Sequence, residues 1–392
     1  MINLTILGST GSIGRQALEV ADWHPERLRV RALAAHDNWR LLAEQAKKYR
    51  PVLVAVADEA VYPSLCEELR GLPIQVLAGE EGLLAAAALG AADTALAAMS
   101  GLAGLKPLLA AIDSGKTIAL ANKEALVASG QLVTARCREK GVELRPVDSE
   151  HSAVWQCLAG EDPAAVEQLI ITCSGGAFRE LSRAELAKVT AADALRHPNW
   201  QMGRKITVDC ATLVNKGLEV IEAHWLFGVD YEDIKVAIHP QSLVHSLVCF
   251  RDGSVKAQLG PADMRLPIAY ALLGRERLPN PGPRLDLLQA GRLDFLPPDE
   301  DRFPGLRAML DAGKRGVLLP AYLNGANEAL VEAFLRDGIP YLFIGSSLRR
   351  LLEQAPSELQ DTARAADLDA VLAADARGRA DAAALMENRH AD

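Results

Sequence analysis

The stretch GSTGSIG, Gly8–Gly14, decides the fold, because it separates an apolar segment from an amphipathic one. The segment before it, INLTIL, is typical of a β-strand, and a helix is expected to begin near Ser12. Glycines at such a junction permit a tight turn and a close approach of the backbone to a pyrophosphate, which the helix N-terminus attracts. The spacing GxxGxxG also occurs in plain structural turns. Directly after a first strand it favours dinucleotide binding.

The same alternation of strand and helix patterns continues through the first 150 residues. Short apolar runs predict strands at Asn3–Leu7, Val30–Ala34, Val52–Val56, Ile74–Leu77, Thr94–Ala98, Thr117–Leu120 and Glu143–Val147. Helix-period segments lie between them at Asn38–Tyr49, Glu59–Arg70, Glu81–Leu89 and Lys123–Lys140. This order predicts an α/β fold with an N-terminal doubly wound, Rossmann-like parallel sheet.

The remaining chain has a different pattern. Residues 150–277 contain the strand-like stretches VEQLIITCS, KITVD, KVAIH, VHSLVCF and SVKAQL, which predict a central α+β domain with a partly antiparallel sheet. A proline-rich linker at 278–302 and an Ala/Leu-rich helical domain at 303–392 follow. With residues 1–149 as a cofactor-binding domain, the sequence predicts three domains joined in part by a linker.

The composition and charge of the chain limit which ligands, partners and locations are expected. The chain has 392 residues and a net charge of −9, which disfavours nucleic acid but still allows a phosphorylated small molecule. Six cysteines lack the spacing of a disulfide framework or a zinc site. No apolar run of about eighteen residues predicts a membrane span, and no leader pattern follows Met1, so a cytoplasmic location is expected.

Polar residues follow two predicted strands of the first domain, at the sheet edge where such folds bind ligands. In LANKEAL, Lys123 can hold a carbonyl or hydroxyl oxygen, although a charge at a helix start is the plainer interpretation. In PVDSEHSA, Asp148 and Glu150 lie two residues apart and would point to the same side of an extended segment. They form either a solvated acidic turn or a pair bridged by a cation.

Two loops of the central domain are candidates for enclosing a substrate. The loop CSGGAF, Cys173–Phe178, offers N–H groups and the Ser174 hydroxyl to an anion, or it simply ends a strand. The stretch HPNWQMG begins at His197 and carries Trp200, which is expected to form an aromatic cover over the site.

The helix expected after this loop places Asn215, Lys216 and Glu219 on one face among many apolar residues. A polar helix surface is ordinary, but these neighbours predict a protected groove. Together with Asp148 and Glu150, Glu219 gives three oxygen ligands without sulfur or imidazole, a set that suits Mg²⁺ or Mn²⁺. Asn215 and Lys216, with the CSGGAF loop, would then hold a phosphate beside the ion.

The loop LAAHDNW, after the second predicted strand, should meet the adenosine ribose. His36 and Asn38 can donate to a 2′-phosphate, whereas Asp37 repels one. Equally, Asn38 can be the N-cap of the next helix, in which case the loop has no role in cofactor choice.

The chain closely resembles the 1-deoxy-D-xylulose 5-phosphate reductoisomerase family in seven stretches that occur in the same order. They are GSTGSIG, NKEAL, VDSEH, SGGAF, HPNWQMGRKITVD, NKGLEVIEA and HPQSLVHS. The resemblance runs from residue 1 to about 270 and continues more loosely through the helical C-terminus. It implies a homodimeric, NADPH- and metal-dependent enzyme of the non-mevalonate isoprenoid pathway, with the dimer interface in the central catalytic domain.

The resemblance also implies a role for individual residues. Cofactor contacts are implied for Thr10, Gly11, Ser12, Ile13, Asn122, Glu124 and Gly203. Metal ligation is implied for Asp148, Glu150 and Glu219, and substrate binding for Lys123, Ser149, Ser174, His197, Asn215, Lys216 and Glu219. Trp200 would close over the substrate, His151 would support the site, and Lys123 and Glu150 would handle protons.

The implied reaction rearranges 1-deoxy-D-xylulose 5-phosphate by retro-aldol and aldol steps and then reduces it to 2-C-methyl-D-erythritol 4-phosphate. Two positions depart from the family pattern: Cys210 replaces a phosphate-binding serine, and Asp37 occupies a position where basic or small residues are commoner. A thiol is a weak donor, so Ser174 and its neighbours would carry more of the phosphate contact.

Two other functions are compatible with a cofactor domain of this kind. A metal-free NAD(P)-dependent semialdehyde or hydroxy-acid dehydrogenase would not need three acidic residues together. A non-enzymatic NADP-binding sensor would bind the cofactor without turnover. Dependence of the reaction on a divalent metal separates the dehydrogenase from the reductoisomerase, and turnover separates both enzymes from the sensor.

Overall fold

The computed structural model describes residues 1–196, 200, 202–361 and 367–389. The strands in these ranges are β1 Ile2–Leu7, β2 Leu28–Ala35, β3 Leu53–Val56, β4 Gln75–Ala78, β5 Thr94–Ala97, β6 Thr117–Leu120, β7 Leu144–Pro146, β8 Val166–Cys173, β9 Ile234–Ile238, β10 Val244–Phe250 and β11 Val255–Leu259. The first nine helices are α1 Ser12–Trp23, α2 Trp39–Tyr49, α3 Tyr62–Glu68, α4 Gly79–Ala87, α5 Leu105–Asp113, α6 Lys123–Lys140, α7 Ser149–Cys157, α8 Arg183–Leu186 and α9 Ala191–Ala194. They are followed by α10 Arg204–Ala211, α11 Val214–Phe227, α12 Arg265–Leu272, α13 Leu287–Ala290, α14 Pro304–Arg315, α15 Leu319–Leu335, α16 Tyr341–Glu353 and α17 Leu368–Asn388.

The chain divides into two compact units, each made of several segments. The first unit comprises Met1–Ala125, Val133–Ser152 and Asp263–Pro283. The second unit comprises Leu126–Leu132, Ala153–Ala262 and Arg284–Asp392. The division into domains at 149, 277 and 302 stays a prediction, since the first unit also recruits residues from beyond position 262.

The first unit is built on a seven-stranded parallel sheet in the order β4-β3-β2-β1-β5-β6-β7. Strand β1 pairs with β2 on one side and with β5 on the other, so the strand order reverses at β1. Ligands of open α/β sheets bind outside the carboxyl ends of the strands at such a switch point. The Gly8–Gly14 turn directly follows β1 and therefore lies at this position. The predicted α/β fold class is confirmed.

The core of the first unit runs across the middle of this sheet. Ile6 aligns with Leu33 on one neighbouring strand and with Leu96 on the other, and all three side chains are fully buried. Helix α12 adds Ile268 and Leu272 to the same hydrophobic cluster, although it follows β1 by more than 250 residues. The first unit is thus completed by a helix from late in the chain.

The second unit contains a four-stranded mixed sheet in the order β11-β10-β8-β9. Strand β10 is antiparallel to both β8 and β11, whereas β8 and β9 are parallel. Ile171 and Val248 of the sheet pack with Val220 and Ala223 of α11 in one buried cluster. Helix α11 is therefore buried between its own unit's sheet and helices, as its apolar sequence predicts.

One predicted strand is wrong. The stretch KITVD lies in helix α10, not in a strand. Its β-branched residues favour a strand locally, but Thr207, Val208 and Ala211 bury one helical face, and packing overrides the local preference. The Thr207 hydroxyl also donates to the carbonyl of Gly203 one turn earlier, at 2.8 Å, as a helix allows.

The predicted extended geometry of PVDSEHSA is also wrong. Helix α7 begins at Ser149, so Glu150 lies in its first helical turn while Asp148 directly precedes the helix. The carbonyl of Asp148 accepts the N–H of Ser152 at 2.8 Å, as the residue before a helix does. The two carboxylates are therefore related by a helix start, where the N-terminal dipole favours negative charge.

The proline-rich segment contains more structure than the linker prediction implies. Helix α13 lies within it, and Leu296 forms an antiparallel bridge with Ile238 at the end of β9. Beyond position 303, the described residues form helices and the turns between them, as the sequence predicts. Within the described ranges, none of the helices combines the length and hydropathy needed to cross a bilayer.

Candidate active site

The turn after β1 has its shape because two of its glycines cannot carry side chains. Gly8 has φ +90°, and a Cβ there would lie 2.4 Å from the carbonyl oxygen of Ala98. A Cβ on Gly14 would lie 2.3 Å from the carbonyl oxygen of Gly8, so helix α1 packs directly on the turn. Gly11 is the N-cap of α1 and is exposed, and among the described residues no side chain caps the helix there. The backbone N–H groups from Thr10 to Ile13 suit a pyrophosphate.

A buried hydrogen-bonded pair fixes this turn from below. The Ser9 hydroxyl donates to Gln45 Oε1 at 2.8 Å, and Gln45 Nε2 donates back to the Ser9 carbonyl at 3.0 Å. Both side chains are buried. No sequence pattern indicated this pair, because Gln45 lies on α2, 36 residues away.

The loop after β2 shows the capping geometry that was one of its two interpretations. The side chain of Asn38 accepts the N–H of Leu41 at 3.3 Å and caps α2. His36 and Asp37 are exposed, with His36 Nδ1 lying 3.8 Å from Asp37 Oδ1. Contacts of His36 and Asn38 with a ribose phosphate stay predictions.

Asn122 and its neighbours begin helix α6 at the carboxyl end of β6. Asn122 Oδ1 accepts the N–H of Ala125 at 3.1 Å, and its Nδ2 donates to the carbonyl of Gly101 at 3.0 Å. The side chain is 2% exposed and so closely packed that a Cβ on Gly104 would lie 2.2 Å from Nδ2. Asn122 therefore ties the segment after β5 to the start of α6, which fixes the backbone that carries Lys123 and Glu124.

Lys123 and Asp148 form a nearly buried ion pair in the first unit. Lys123 Nζ lies 2.7 Å from Asp148 Oδ2, and His151 Nδ1 lies 3.9 Å from Asp148 Oδ1. Burial alone would raise the pKa of the Asp148 carboxyl, but the Lys123 ammonium and His151 hold it well below its usual range. Asp148 is therefore ionised at neutral pH and can act as a hard oxygen ligand.

Ser149 and Glu150 occupy the first turn of α7. The Ser149 hydroxyl donates to Glu150 Oε2, so the two predicted site residues are in direct contact. Both carboxylates at this helix start are half-buried rather than fully solvated. The acidic pair is therefore less exposed than a fully solvated turn, and its binding of a cation stays a prediction.

In the second unit, the loop after β8 rests on the end of helix α10. Gly176 has φ +70°, and a Cβ there would lie 2.5 Å from the carbonyl oxygen of Cys210. The Ser174 hydroxyl accepts the N–H of Gly176 at 3.2 Å and is buried. The structure thus brings the Ser174 loop and Cys210 together, although 36 positions separate these two residues in the sequence.

Helix α11 buries a cluster of three polar side chains. Asn215, Lys216 and Glu219 are 7%, 2% and 1% exposed. The Asn215 amide and the Lys216 ammonium both donate to the Glu219 carboxylate. A buried charge is tolerated when it is paired, so this cluster is charge-balanced as it stands. A phosphate at Lys216 and a cation at Glu219 would together preserve that balance.

The sequence assigned no role to His245, which the structure places beside a predicted site residue. Its ring lies 6.1 Å from the ring of Trp200, centroid to centroid. Burial lowers the pKa of His245 to about 4, and the nearby Lys216 acts in the same direction. The imidazole is therefore neutral at physiological pH. The only sequence signal was HPQSLVHS, one of the stretches shared with the resembling family.

The remaining predicted residues are placed as follows. Gly203 is the N-cap of α10 and is exposed. Predicted residue His197 lies outside the described residues. The assigned roles of all these side chains stay predictions.

Comparison with known proteins accounts for nearly the whole chain. The family model for 1-deoxy-D-xylulose 5-phosphate reductoisomerase matches residues 4–130. Two models of the C-terminal domain of the same enzyme match residues 144–227 and 259–381. The chain belongs to the 1-deoxy-D-xylulose 5-phosphate reductoisomerase family.

Relatives in this family are similar over their full length. The reductoisomerase of Heliobacterium modesticaldum is 52% identical over 378 residues, which cover 96% of this chain and 95% of that protein. The reductoisomerase of Moorella thermoacetica is 51% identical over 98% of both chains. The resemblance seen in seven short stretches is therefore confirmed across the chain.

Solved reductoisomerases have the same fold. The Zymomonas mobilis reductoisomerase in complex with NADPH is 42% identical, with a TM-score of 0.91 over 98% of this chain and 99% of that one. A reductoisomerase in complex with NADPH, fosmidomycin and magnesium is 39% identical, with a TM-score of 0.93 over 99% and 98% of the two chains.

Proposed function

We propose that this protein rearranges and reduces 1-deoxy-D-xylulose 5-phosphate to 2-C-methyl-D-erythritol 4-phosphate, with NADPH and Mg²⁺ or Mn²⁺. The observation that carries the proposal is about 50% identity to reductoisomerases over almost the full length of both chains. Solved relatives bound to NADPH, fosmidomycin and magnesium support the choice of cofactors. The reaction belongs to non-mevalonate isoprenoid precursor biosynthesis.

The cofactor binds to the first unit. The N–H groups at the start of α1 hold its pyrophosphate, because Gly8 and Gly14 permit the turn that exposes them. The residues proposed to contact NADPH are Thr10, Gly11, Ser12, Ile13, His36, Asn38, Asn122, Glu124 and Gly203. Asn122 acts mainly through its two backbone hydrogen bonds, which fix the start of α6.

The divalent ion is held by Asp148, Glu150 and Glu219. The donor set fits a hard cation, because it consists of carboxylates and because Lys123 and His151 keep Asp148 ionised. The bound ion supplies Lewis acidity to the oxygens of the substrate.

Two side chains of the first unit handle protons. Lys123 is held within 2.7 Å of Asp148 and serves as a donor to the reacting oxygens, while Glu150 accepts a proton. Ser149 orients Glu150 through its hydrogen bond and also contacts the substrate. Trp200, with His197, covers the substrate and excludes water from it.

The phosphate of the substrate binds to the second unit. Ser174, Cys210, Asn215 and Lys216 are its proposed contacts, with the buried Lys216 providing the charge. A phosphate bound to Lys216 would weaken the pairing of that ammonium with Glu219, and the Glu219 carboxylate could then hold the cation. Binding of phosphate and binding of metal would therefore favour each other.

Assembly and location belong to the same proposal. The protein forms a homodimer through the central domain, residues 150–277, and acts in the cytoplasm on a phosphorylated small molecule. The linker at 278–302 and the helical domain at 303–392 complete the proposed domain order.

The test is oxidation of NADPH and, separately, of NADH with 1-deoxy-D-xylulose 5-phosphate, before and after chelation and with Mg²⁺ or Mn²⁺ restored. Metal-dependent loss of NADPH supports the reaction, the cofactor and the acidic site together. Turnover that survives chelation indicates the metal-free dehydrogenase instead. Cofactor binding without turnover indicates the sensor, and equal use of NADH shows that Asp37 has changed the ribose pocket.

A further inference from the structure

Helix α10 carries a buried carboxylate that contacts the C-terminal helices of the same unit. Asp209 is 1% exposed, and its Oδ1 accepts a hydrogen bond of 2.8 Å from Asn327 Nδ2 of α15. Its other oxygen lies 3.1 Å from Lys205 Nζ, one turn earlier on α10. A carboxylate in such a place is costly unless it is paired, and it is paired here from two directions.

The polar contacts continue from α10 to α17. Lys205 Nζ lies 3.8 Å from Glu328 Oε1 of α15, and Glu328 pairs with Arg379 of α17. Arg379 Nε donates in turn to Asp375 Oδ2 at 2.7 Å. Charges thus alternate in sign along the series, which makes each member a partner of the next.

The two helices that anchor this series are held together very closely. A Cβ on Gly378 of α17 would lie 1.9 Å from the carbonyl oxygen of Tyr322 on α15. A Cβ on Gly325 would lie 2.3 Å from the carbonyl oxygen of Asp375. Backbones in contact at two points leave little room for the helices to shift, so they form a rigid support for α10.

The end of α10 is the point where the proposed phosphate contacts meet. The loop at Gly176 packs on the carbonyl of Cys210, and Tyr341 Oη of α16 donates to the carbonyl of Ala211 at 2.7 Å. Leu213, with φ +58°, then turns the chain into α11, which carries Lys216. A displacement of α10 would therefore move the Ser174 loop and Lys216 relative to each other.

The geometry points to Asp209 as a positioning residue for the substrate phosphate. Through Asn327, and through Lys205 to Glu328, it fixes α10 against the C-terminal helices. The Ser174 loop, which packs on Cys210, and Lys216, which follows α10 on α11, are thereby held at the spacing that binding of one phosphate requires. Asp209 acts through Cys210, the Ser174 loop and Lys216. The inference rests on the proposed function, since that function supplies the phosphate.

The test compares Asp209→Asn with the exchange variant Asp209→Asn/Asn327→Asp. Asp209→Asn removes the charge that Lys205 pairs with, and we expect the KM for 1-deoxy-D-xylulose 5-phosphate to rise about tenfold, with KM for NADPH within about twofold. The exchange variant returns a carboxylate to the same contact and should restore KM to within about threefold of the parent. Glu332→Gln is the matched control, because Glu332 forms an exposed pair with Arg336 on α15.

Two further measurements separate positioning from simple stabilisation. Glu328→Gln should also raise the KM for 1-deoxy-D-xylulose 5-phosphate, by about threefold. This variant replaces Asp209→Asn in the test if Asp209→Asn does not fold. The rise of Tm caused by inorganic phosphate, which needs no turnover, should be smaller in Asp209→Asn than in the parent chain.

A lower Tm in Asp209→Asn and Glu328→Gln, with KM and the phosphate-induced shift unchanged, would overturn the positioning role. A parent chain that binds phosphate without turning over the substrate contradicts the proposed function instead. In that case the difference in phosphate-induced shift between the parent and Asp209→Asn still decides the inference.

Discussion

The Gly8–Gly14 turn of the first unit offers backbone N–H groups as its proposed cofactor contacts, whereas α11 of the second unit offers buried charged side chains as proposed contacts for phosphate and metal. The turn needs two missing Cβ atoms and one exposed helix start, all set within seven residues. The helix needs an ammonium, an amide and a carboxylate that neutralise one another out of water. A change in the turn should therefore lower stability and cofactor affinity by similar, moderate amounts, whereas a change in the helix should lower stability more and also remove the chemistry.

The largest effect is expected from Lys216→Met. Removing the ammonium leaves Glu219 charged and buried, which should lower the free energy of unfolding by about 3–5 kcal/mol and abolish measurable turnover. Urea denaturation and kcat/KM measure the two effects. Lys47→Met is the control, because its pair with Glu68 is about half exposed and should contribute less than about 1 kcal/mol. An equal loss of unfolding free energy in Lys216→Met and Lys47→Met would show that the buried ion pair contributes no more stability than the exposed one.

A second expected effect concerns pH. Burial lowers the pKa of His245 to about 4, so between the ordinary value of about 6.5 and 4 the unfolded chain binds a proton that the folded chain does not. The contribution of His245 to the free energy of unfolding should therefore fall as the pH decreases across that window, by about 3 kcal/mol in total.

The variant His245→Gln isolates that contribution. Its free energy of unfolding, measured in urea at pH 7 and at pH 4.5, should change less with pH than that of the parent chain. His36→Gln is the control, since His36 is 76% exposed in its side chain and its removal should leave the slope unchanged. Identical slopes in all three chains would show that His245 protonates normally in the folded state.

The Gly8–Gly14 turn gives the next largest effect. In Gly14→Ala, the new methyl group would meet the Gly8 carbonyl oxygen at 2.3 Å and Ser9 Cα at 2.5 Å, so the turn must open. We expect a loss of about 1–3 kcal/mol in stability and a comparable loss in NADPH affinity, measured by fluorescence titration.

Gly90→Ala is the matched control for this variant, because no atom of the described residues lies within 4 Å of a Cβ at that exposed position. NADPH affinity that is unchanged in Gly14→Ala would show that the helix start is not where the pyrophosphate binds.

The smallest effect is expected from Cys210→Ser. A hydroxyl donates better than a thiol, and one added hydrogen bond of about 0.5–1.5 kcal/mol should lower KM for the phosphorylated substrate by about two- to tenfold. KM for NADPH, measured in the same assay, is the internal control and should not move. An unchanged KM for substrate would place Cys210 outside the phosphate contacts.

Local patterns explain which parts of the fold the sequence predicted. The bounds of β6 and α6 agree with the predictions to the residue, and α1 begins at Ser12 as expected. These elements are set by periodicity and by caps within a few positions. The KITVD stretch of α10 was predicted as a strand because its packing partners come from distant parts of the chain; Asn327, for example, lies 118 positions from Asp209.

The site divides in the same way. The glycine turn and the Asn215–Glu219 contact follow from spacing along one segment, so the sequence could reveal them. The Lys123–Asp148 pair and the Ser9–Gln45 pair each join residues at least 25 positions apart. No spacing rule connects such residues. Their positions after two predicted strands had placed Lys123 and Asp148 at one sheet edge, and only the resemblance to a known family had assigned both to one site. Nothing had pointed to Gln45.

Because helix α12 comes late in the chain, the core of the first unit is completed late during protein synthesis. Ile268 and Leu272 of α12 complete the core of the first unit, but the last strand of that unit's sheet already ends at Pro146. A growing chain that has been synthesised only as far as β7 therefore still exposes the apolar surface that α12 later covers. At translation rates of roughly 5–20 residues per second, that surface waits on the order of ten seconds for its last helix. During this interval the growing chain would be a substrate for ribosome-associated chaperones, and a polypeptide cut near residue 150 would never bury that surface.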